Sequence, residues 1–215
     1  MEETKMNDIL FIDPGHAFGI DNHKSPFVQE NFHLIDMYDF ETTDLTPFKC
    51  IVVHDFVDQV HLYRHRALIE QFLNDGKIVI WGGHLTTKWL PGCALFTPKK
   101  INAFSDYEIS IVQEQPIFNG VLAEELTFTK GVAGFFARGS HTPIPAQAEI
   151  LTTLPDAATV TYIDRHTTAG TVLVHAGRDL FTLRDQHRTT DRISTQLLQW
   201  IHDEYEALKR GMHNA

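Results

Sequence analysis

Cysteine is scarce in this chain: Cys50 and Cys93 are the only two in 215 residues. That count excludes a disulfide framework and suits a reducing compartment. Long apolar runs are missing as well, since no segment approaches the roughly 20 apolar residues that a membrane span needs. The opening Met1-Glu2-Glu3-Thr4-Lys5 mixes charges, and the apolar run after Asp8 is short. No signal peptide is expected from that pattern, and a cytoplasmic setting is. Basic excess is also lacking: 18 Lys and Arg face 28 Asp and Glu, a formal net charge of −10. A nucleic-acid partner, which demands a positive surface, is therefore not expected. Arg138, Arg178, Arg184, Arg188 and Arg192 still suffice to line a local anion site.

What is present points to a covered sheet. With 43% hydrophobic residues, the chain is long enough for one domain over 1–215 with a substantial core. Asp8 to Ile12 reads as a buried strand stopped by Asp13-Pro14-Gly15, and Cys50 to Val53 as another ending in His54-Asp55-Phe56. Asp58 offers a helix N-cap; Leu62, Ile69, Phe72 and Leu73 share one helical face, and Gly76 supplies the stop. Lys77 to Trp81 is the next strand, completing a βαβ unit. His33 to Tyr38 gives a weaker strand, and alternation at Tyr107, Ile109 and Ile111 predicts a half-exposed one. Further strands are predicted at 149–154, 159–163, 170–175 and 179–183. Residues 160–163 and 171–174 pair as a late β-hairpin through Thr167 to Gly170. A final helix starts near Asp191, with Ile193, Leu197, Trp200, Ile201 and Leu208 on one stripe.

The strand at 78–81 breaks into Gly82-Gly83-His84. Chemistry in α/β proteins is mounted at such corners, at the carboxyl ends of parallel strands. No Ser or Cys stands there.

The order of several motifs resembles ThuA-like proteins of the class I glutamine amidotransferase-like superfamily. They are Thr43-Asp44-Leu45 with Phe48 to Val53, Leu68 to Leu73 with Asp75 to Val79, Gln115 to Val121, and Thr161-Tyr162 with Gly170 to Val174. The resemblance covers residues 44–180 and implies a flavodoxin-like three-layer sandwich with a mostly parallel central sheet. Glutaminases of the superfamily carry Gly-x-Cys-x-Gly-His at the corner and His-x-Glu after a later strand. Here Gly83 and His84 match, but Trp81 takes the place of Cys, and Gly177 stands where the acidic residue follows His175. An indole supplies no thiolate, and glycine cannot orient a histidine, so glutamine hydrolysis is not expected.

Strand-end logic nominates most of the site residues, and the polar cluster Ala137-Arg138-Gly139-Ser140-His141 adds a guanidinium. His84, His175 and Asp13 are the acid–base candidates. His16, His54, Asp55, Trp81, Gly82, Gly83, Arg138 and His141 are expected to bind a small polar, carbohydrate-like metabolite. A turn or capping role explains Asp13 and Asp55 equally, and loop hydrogen bonding explains the histidines. No cofactor, metal or membrane contact is expected; a homo-oligomer or a protein partner is left open. Two other readings accompany this one. The fold serves as a non-catalytic interaction scaffold, or the chain is a zinc-dependent hydrolase using His16 and the other strand-end histidines, since Asp13-Pro14-Gly15-His16 resembles the zinc-binding "Asp-Pro-Gly-His-Gly" of N-acetylmuramoyl-alanine amidases, with Ala17 in place of the last Gly.

Overall fold

The computed structural model describes residues 7–16, 23–113, 115–129 and 131–213; Met1 to Lys5 and Ala17 lie outside them. In chain order the elements begin with β1 (Ile9–Asp13), α1 (Pro26–Asn31), β2 (His33–Asp36) and β3 (Cys50–His54). Two helices, α2 (Gln59–Arg64) and α3 (Arg66–Asn74), lead into β4 (Ile78–Gly82). The middle holds β5 (Phe96–Pro98), β6 (Ser110–Ile111), α4 (Ala123–Thr127), β7 (Phe128–Thr129), β8 (Val132–Ala133) and β9 (Gly139–His141). The chain then runs through β10 (Glu149–Leu154), β11 (Ala158–Asp164) and β12 (Thr171–His175) to the long helix α5 (Arg192–His213).

Eight strands form one sheet in the order β2-β1-β3-β4-β12-β11-β10-β6. The five from β2 to β12 are parallel, and β12-β11-β10-β6 pair antiparallel. The late hairpin is therefore the point where the sheet changes direction. Alternation along the strands divides the core in two. Phe11, Val52, Ile80 and Leu173 face α5 and bury Ile193, Leu197, Trp200 and Ile201. Ile12, Val53, Trp81 and Val174 face the other way and cover Leu62, Ile69, Phe72 and Leu73 of α2 and α3. Each such large side chain, fully removed from water, contributes about 1.5–3 kcal/mol. The result is an α/β three-layer sandwich of the flavodoxin-like kind, with a mostly parallel sheet in the middle.

Local chemistry explains where the elements differ from expectation. Asp58 does cap α2, its carboxylate accepting from the Val60 and His61 amides at 3.0 Å each; the helix breaks at His65 before α3. The strand expected at 33–38 stops at Asp36, whose side chain accepts from the Tyr38 amide at 2.8 Å and starts a 3-10 turn. The strand expected at 179–183 is corrected in the same way: Asp179 accepts from the Phe181 amide at 3.0 Å and turns Leu180–Thr182 into a 3-10 helix. Of the half-exposed strand around Tyr107, only Ser110–Ile111 pairs; Phe104–Tyr107 is a 3-10 turn. Among the described residues, no helix is long and apolar enough to cross a membrane.

Candidate functional site

Parallel pairing sets His54, Gly82 and His175 side by side at the ends of β3, β4 and β12. All three positions face the α5 side of the sheet. Gly82 in the middle is required by the chain above it: a Cβ there would lie 3.0 Å from the Asp179 backbone. Trp81, one residue earlier, points to the opposite face. It is fully buried, its ring edge-on to Trp89 at 5.2 Å. The expectation that Trp81 contacts a ligand is thereby corrected. Its role is to support the corner, since a Cβ at Gly83 would meet the indole at 2.6 Å.

Above this row lies a cavity of about 550 Å³. Its polar lining comes from Asp55, Gln59, His84, Arg138 and Arg178, and its apolar walls from Phe56 and Phe135. Gly83, Gly134, Ala137 and Gly177 bring backbone to its surface. The fold thus unites Asp55, Gly83, His84 and Arg138 from the sequence reading. His84 stacks flat on Phe96, ring centroids 3.7 Å apart, and partial loss of water there lowers its pKa from the usual histidine value. Gln59 holds the same corner: its amide donates to the His84 carbonyl at 2.8 Å and accepts from the Thr86 and Thr87 amides at 2.8 and 3.3 Å.

Beside the cavity stands a second polar group. His54 Nδ1 lies 2.9 Å from Asp55 Oδ1, and His23 Nδ1 lies 3.0 Å from Asp13 Oδ2. Each carboxylate is placed to accept the Nδ1 proton. Both Nε2 atoms are buried, and among the described residues neither has a hydrogen-bond partner. The two rings are 5.5 Å apart, and His16 packs edge-on to His54 at 5.3 Å. Burial lowers the pKa of His23 and of His16. Asp179, buried near His54, is pushed the other way, its carboxyl raised by desolvation. Among the described residues, no group of three or more His, Cys, Asp or Glu side chains is arranged to hold a metal ion.

His141 and His175 stand behind the cavity wall, not in it, and the expected contact of either with a ligand is corrected by burial. His141 is fully buried, its ring nitrogens 3.0 Å from the Gly83 carbonyl and 2.9 Å from that of Ala94. Desolvation keeps its pKa low, and it ties the corner to the loop before β5. His175 closes a hydrogen-bond chain. Thr152 donates to Thr161 at 2.7 Å, Thr161 meets His175 Nδ1 at 2.8 Å, and Nε2 donates to the Phe136 carbonyl at 3.1 Å. Burial pushes its pKa down to about 3. The same carbonyl explains Gly177, because a Cβ at that position would sit 1.8 Å from the Phe136 oxygen.

Sequence reasoning missed the sharpest feature of the cavity. Phe56 adopts φ 69°, a left-handed conformation uncommon for a bulky residue, and is 65% exposed. Phe135 opposes it in the lining at 40% exposed. Arg178 is, in the sequence, one of the five arginines named for a local anion site, with nothing to set it apart from the others. Its neighbours Arg184 and Arg188 instead brace the backbone, donating to the carbonyls of Phe181 and Phe128.

No family model and no curated protein matches this chain. Among solved structures it is similar to a Thermoplasma acidophilum protein assigned to GMP synthase. The TM-score is 0.59 at 11% identity, over 95% of this chain and 98% of that one. An exo-β-1,4-mannosidase from an Opitutaceae bacterium aligns at TM-score 0.44 and 13% identity, and a β-galactosidase from G. stearothermophilus at 0.44 and 10%. Those alignments cover 95% and 91% of this chain but only 35% and 30% of the enzymes. The first similarity shows the fold: an α/β three-layer sandwich shared over nearly the whole of both chains. Fold does not carry reaction, so function rests on the cavity.

Proposed function

We propose that this chain is a ThuA-like protein without glutaminase chemistry that binds or processes a small polar, carbohydrate-like metabolite in the cavity at the β4 corner. One observation carries the reading: two solvent-exposed aromatic rings, Phe56 and Phe135, face a lining that offers Asp55, His84, Arg138 and Arg178. Apolar ring faces with a few directional polar groups are what a polyhydroxylated ring requires, since it presents C–H faces and hydroxyl edges. His84, with its lowered pKa, is neutral and able to accept a proton near pH 7. Asp13 acts through His23, which it orients.

Two further features support the absence of glutaminase chemistry. Neither thiol is near reactivity: burial raises Cys50 well above its ordinary pKa and pushes Cys93 up to about 12. His175 spends its Nε2 proton on a backbone carbonyl, with no acidic partner two residues later. Titration calorimetry with a panel of neutral sugars, sugar acids and sugar phosphates tests the proposal. At least one compound is expected to bind below ~1 mM, weakened about 10-fold in His84→Ala. Binding of none, or binding untouched by His84→Ala and Phe56→Ala, overturns the cavity assignment. Incubation with glutamine is expected to release no ammonia above background; turnover overturns that part separately.

A second reading, an interaction scaffold, draws on the surface around β7, where Phe104 and Phe128 pack ring to ring at 6.5 Å while 57% and 43% exposed. Sedimentation velocity on the purified chain tests it. A concentration-dependent oligomer abolished by Phe104→Ser favours the scaffold, and a monomer at all concentrations counts against self-association.

A further inference from the structure

The chain is acidic overall, at net −10, yet its cavity is not. Two guanidinium groups, Arg138 and Arg178, share the lining with one carboxylate, Asp55. That carboxylate is already committed. Its Oδ1 holds His54, and its Oδ2 lies 3.7 Å from Arg178 Nε, beyond hydrogen-bond range. Arg178 Nε is buried and, among the described residues, has no hydrogen-bond partner. Arg138 gives only its Nε to the Gly134 carbonyl, at 3.3 Å, with its guanidinium 5.8 Å from the Tyr107 ring. Among the described residues, the terminal nitrogens of both arginines have no acceptor. Planar guanidinium donors at a cavity wall have the geometry to receive a carboxylate or a phosphate.

The backbone explains why the two arginines line one cavity. Gly177 packs directly on the Phe136 carbonyl, so the segment carrying Arg138 and the segment carrying Arg178 run in contact. Any side chain at position 177 would force them apart. The residue that removes the family's acid from this place thus brings two bases together.

We propose that the cavity selects a carbohydrate-like ligand bearing an oxyanion, a carboxylate or a phosphate. Arg138 and Arg178 hold the anion, while Phe56 and Phe135 hold the ring faces. The inference rests on the ligand-binding reading above and adds the charge of the ligand. Four probes separate the sources by calorimetry: glucuronate, glucose 6-phosphate, glucose and inorganic phosphate, each at low and high salt. One of the two anionic sugars is expected to bind about 10- to 100-fold more tightly than glucose. Added salt should narrow that gap. Arg138→Met and Arg178→Met should each remove most of that gap, read as the ratio of anionic-sugar to glucose affinity within each variant. Arg178→Lys should restore part, because charge survives but the planar fork does not. Preference for glucuronate identifies a carboxylate, and preference for glucose 6-phosphate a phosphate. Equal affinity for glucose and both anions, with silent arginine variants, overturns the charge inference and leaves the carbohydrate site standing. Inorganic phosphate binding as tightly as glucose 6-phosphate also overturns it, since the sugar then contributes nothing. Failure of every probe overturns both.

Discussion

His54 and His175 stand in one row of the sheet, separated by Gly82, and are 4% and 1% exposed. Their surroundings differ completely. Around His175 every polar valence is used: a threonine pair supplies Nδ1, and a carbonyl takes the Nε2 proton. At His54 Nδ1 is tied to Asp55, while among the described residues neither its Nε2 nor that of neighbouring His23 has a hydrogen-bond partner. An unsatisfied buried polar atom costs about 1–3 kcal/mol, so its presence demands a reason that a completed network does not. The β12 end is a structural closure, and the β3 end is held ready. Burial and strand-end position alone do not separate the two; the bare atom does.

Gly177→Glu, which restores the acidic residue that the resemblance expects, is the most severe way to challenge the closed end. With its Cβ aimed 1.8 Å from the Phe136 oxygen, the substitution should cost more than ~5 kcal/mol, enough to unfold a marginal domain. A denaturant midpoint equal to wild type would show that this end is not closed. Acid provides the next challenge. The unfolded His175 takes up its proton near pH 6.5, whereas the folded one resists until about 3. Stability is therefore complete above 6.5 and declines as pH falls, by about 1.4 kcal/mol per pH unit, or ~3 kcal/mol by pH 4. His23 and His141 add slope in the same direction. The measurement is the difference in urea midpoint between wild type and His175→Gln at pH 7 and pH 4. It should shrink at acid pH, and a constant difference would mean that His175 is not buried neutral. Gln59→Glu probes the open end more gently. The carboxylate still accepts from Thr86 and Thr87 but loses its donor to the His84 carbonyl. A loss of ~1–2 kcal/mol is expected, with weaker ligand binding because His84 loosens from Phe96. Unchanged affinity would remove Gln59 from the positioning of the corner.

Much of this arrangement is legible in the sequence alone. The β-branched runs at 50–53, 78–81 and 171–174 announce buried parallel strands, and their ends lead to Asp55, Gly83 and His84, while Arg138 is nominated by the polar cluster Ala137 to His141. Trp81 is misassigned by the motif comparison because that comparison counts residues from the glutaminase corner, while the pleat counts by two. Since β4 continues to Gly82, Trp81 shares a face with Val53 and Val174; that parity is present in the sequence. The 3-10 helix at Leu180–Thr182 is hidden because Leu-Phe-Thr-Leu has strand composition, and one capping carboxylate overrides it. Phe56, Phe135 and Arg178 are out of reach for another reason. They meet only when the loops 134–138 and 177–178 pack together, a long-range contact with no local signature.

The smallest stability effect expected is also the most discriminating, because its sign is opposite to the others. Phe56 holds a left-handed backbone with a large side chain that is mostly in water, a combination that costs about 1–2 kcal/mol and buries little in return. Asparagine tolerates this conformation because its short side chain hydrogen-bonds locally. Phe56→Asn should therefore stabilise the fold by ~0.5–1 kcal/mol, even though it removes the ring packed 5.0 Å from that of His16. If the ring is the platform for a ligand, the same variant should lose about 10-fold in affinity for whichever sugar the wild type binds. Melting temperature and calorimetric affinity, measured on one preparation, would then move in opposite directions. A variant that is less stable and binds equally well would make Phe56 a packing residue and return the strain to an unexplained feature of the turn. A variant that is more stable and binds worse identifies strain retained for recognition, which is the property that sets the β3 end apart from the closed histidine two strands away.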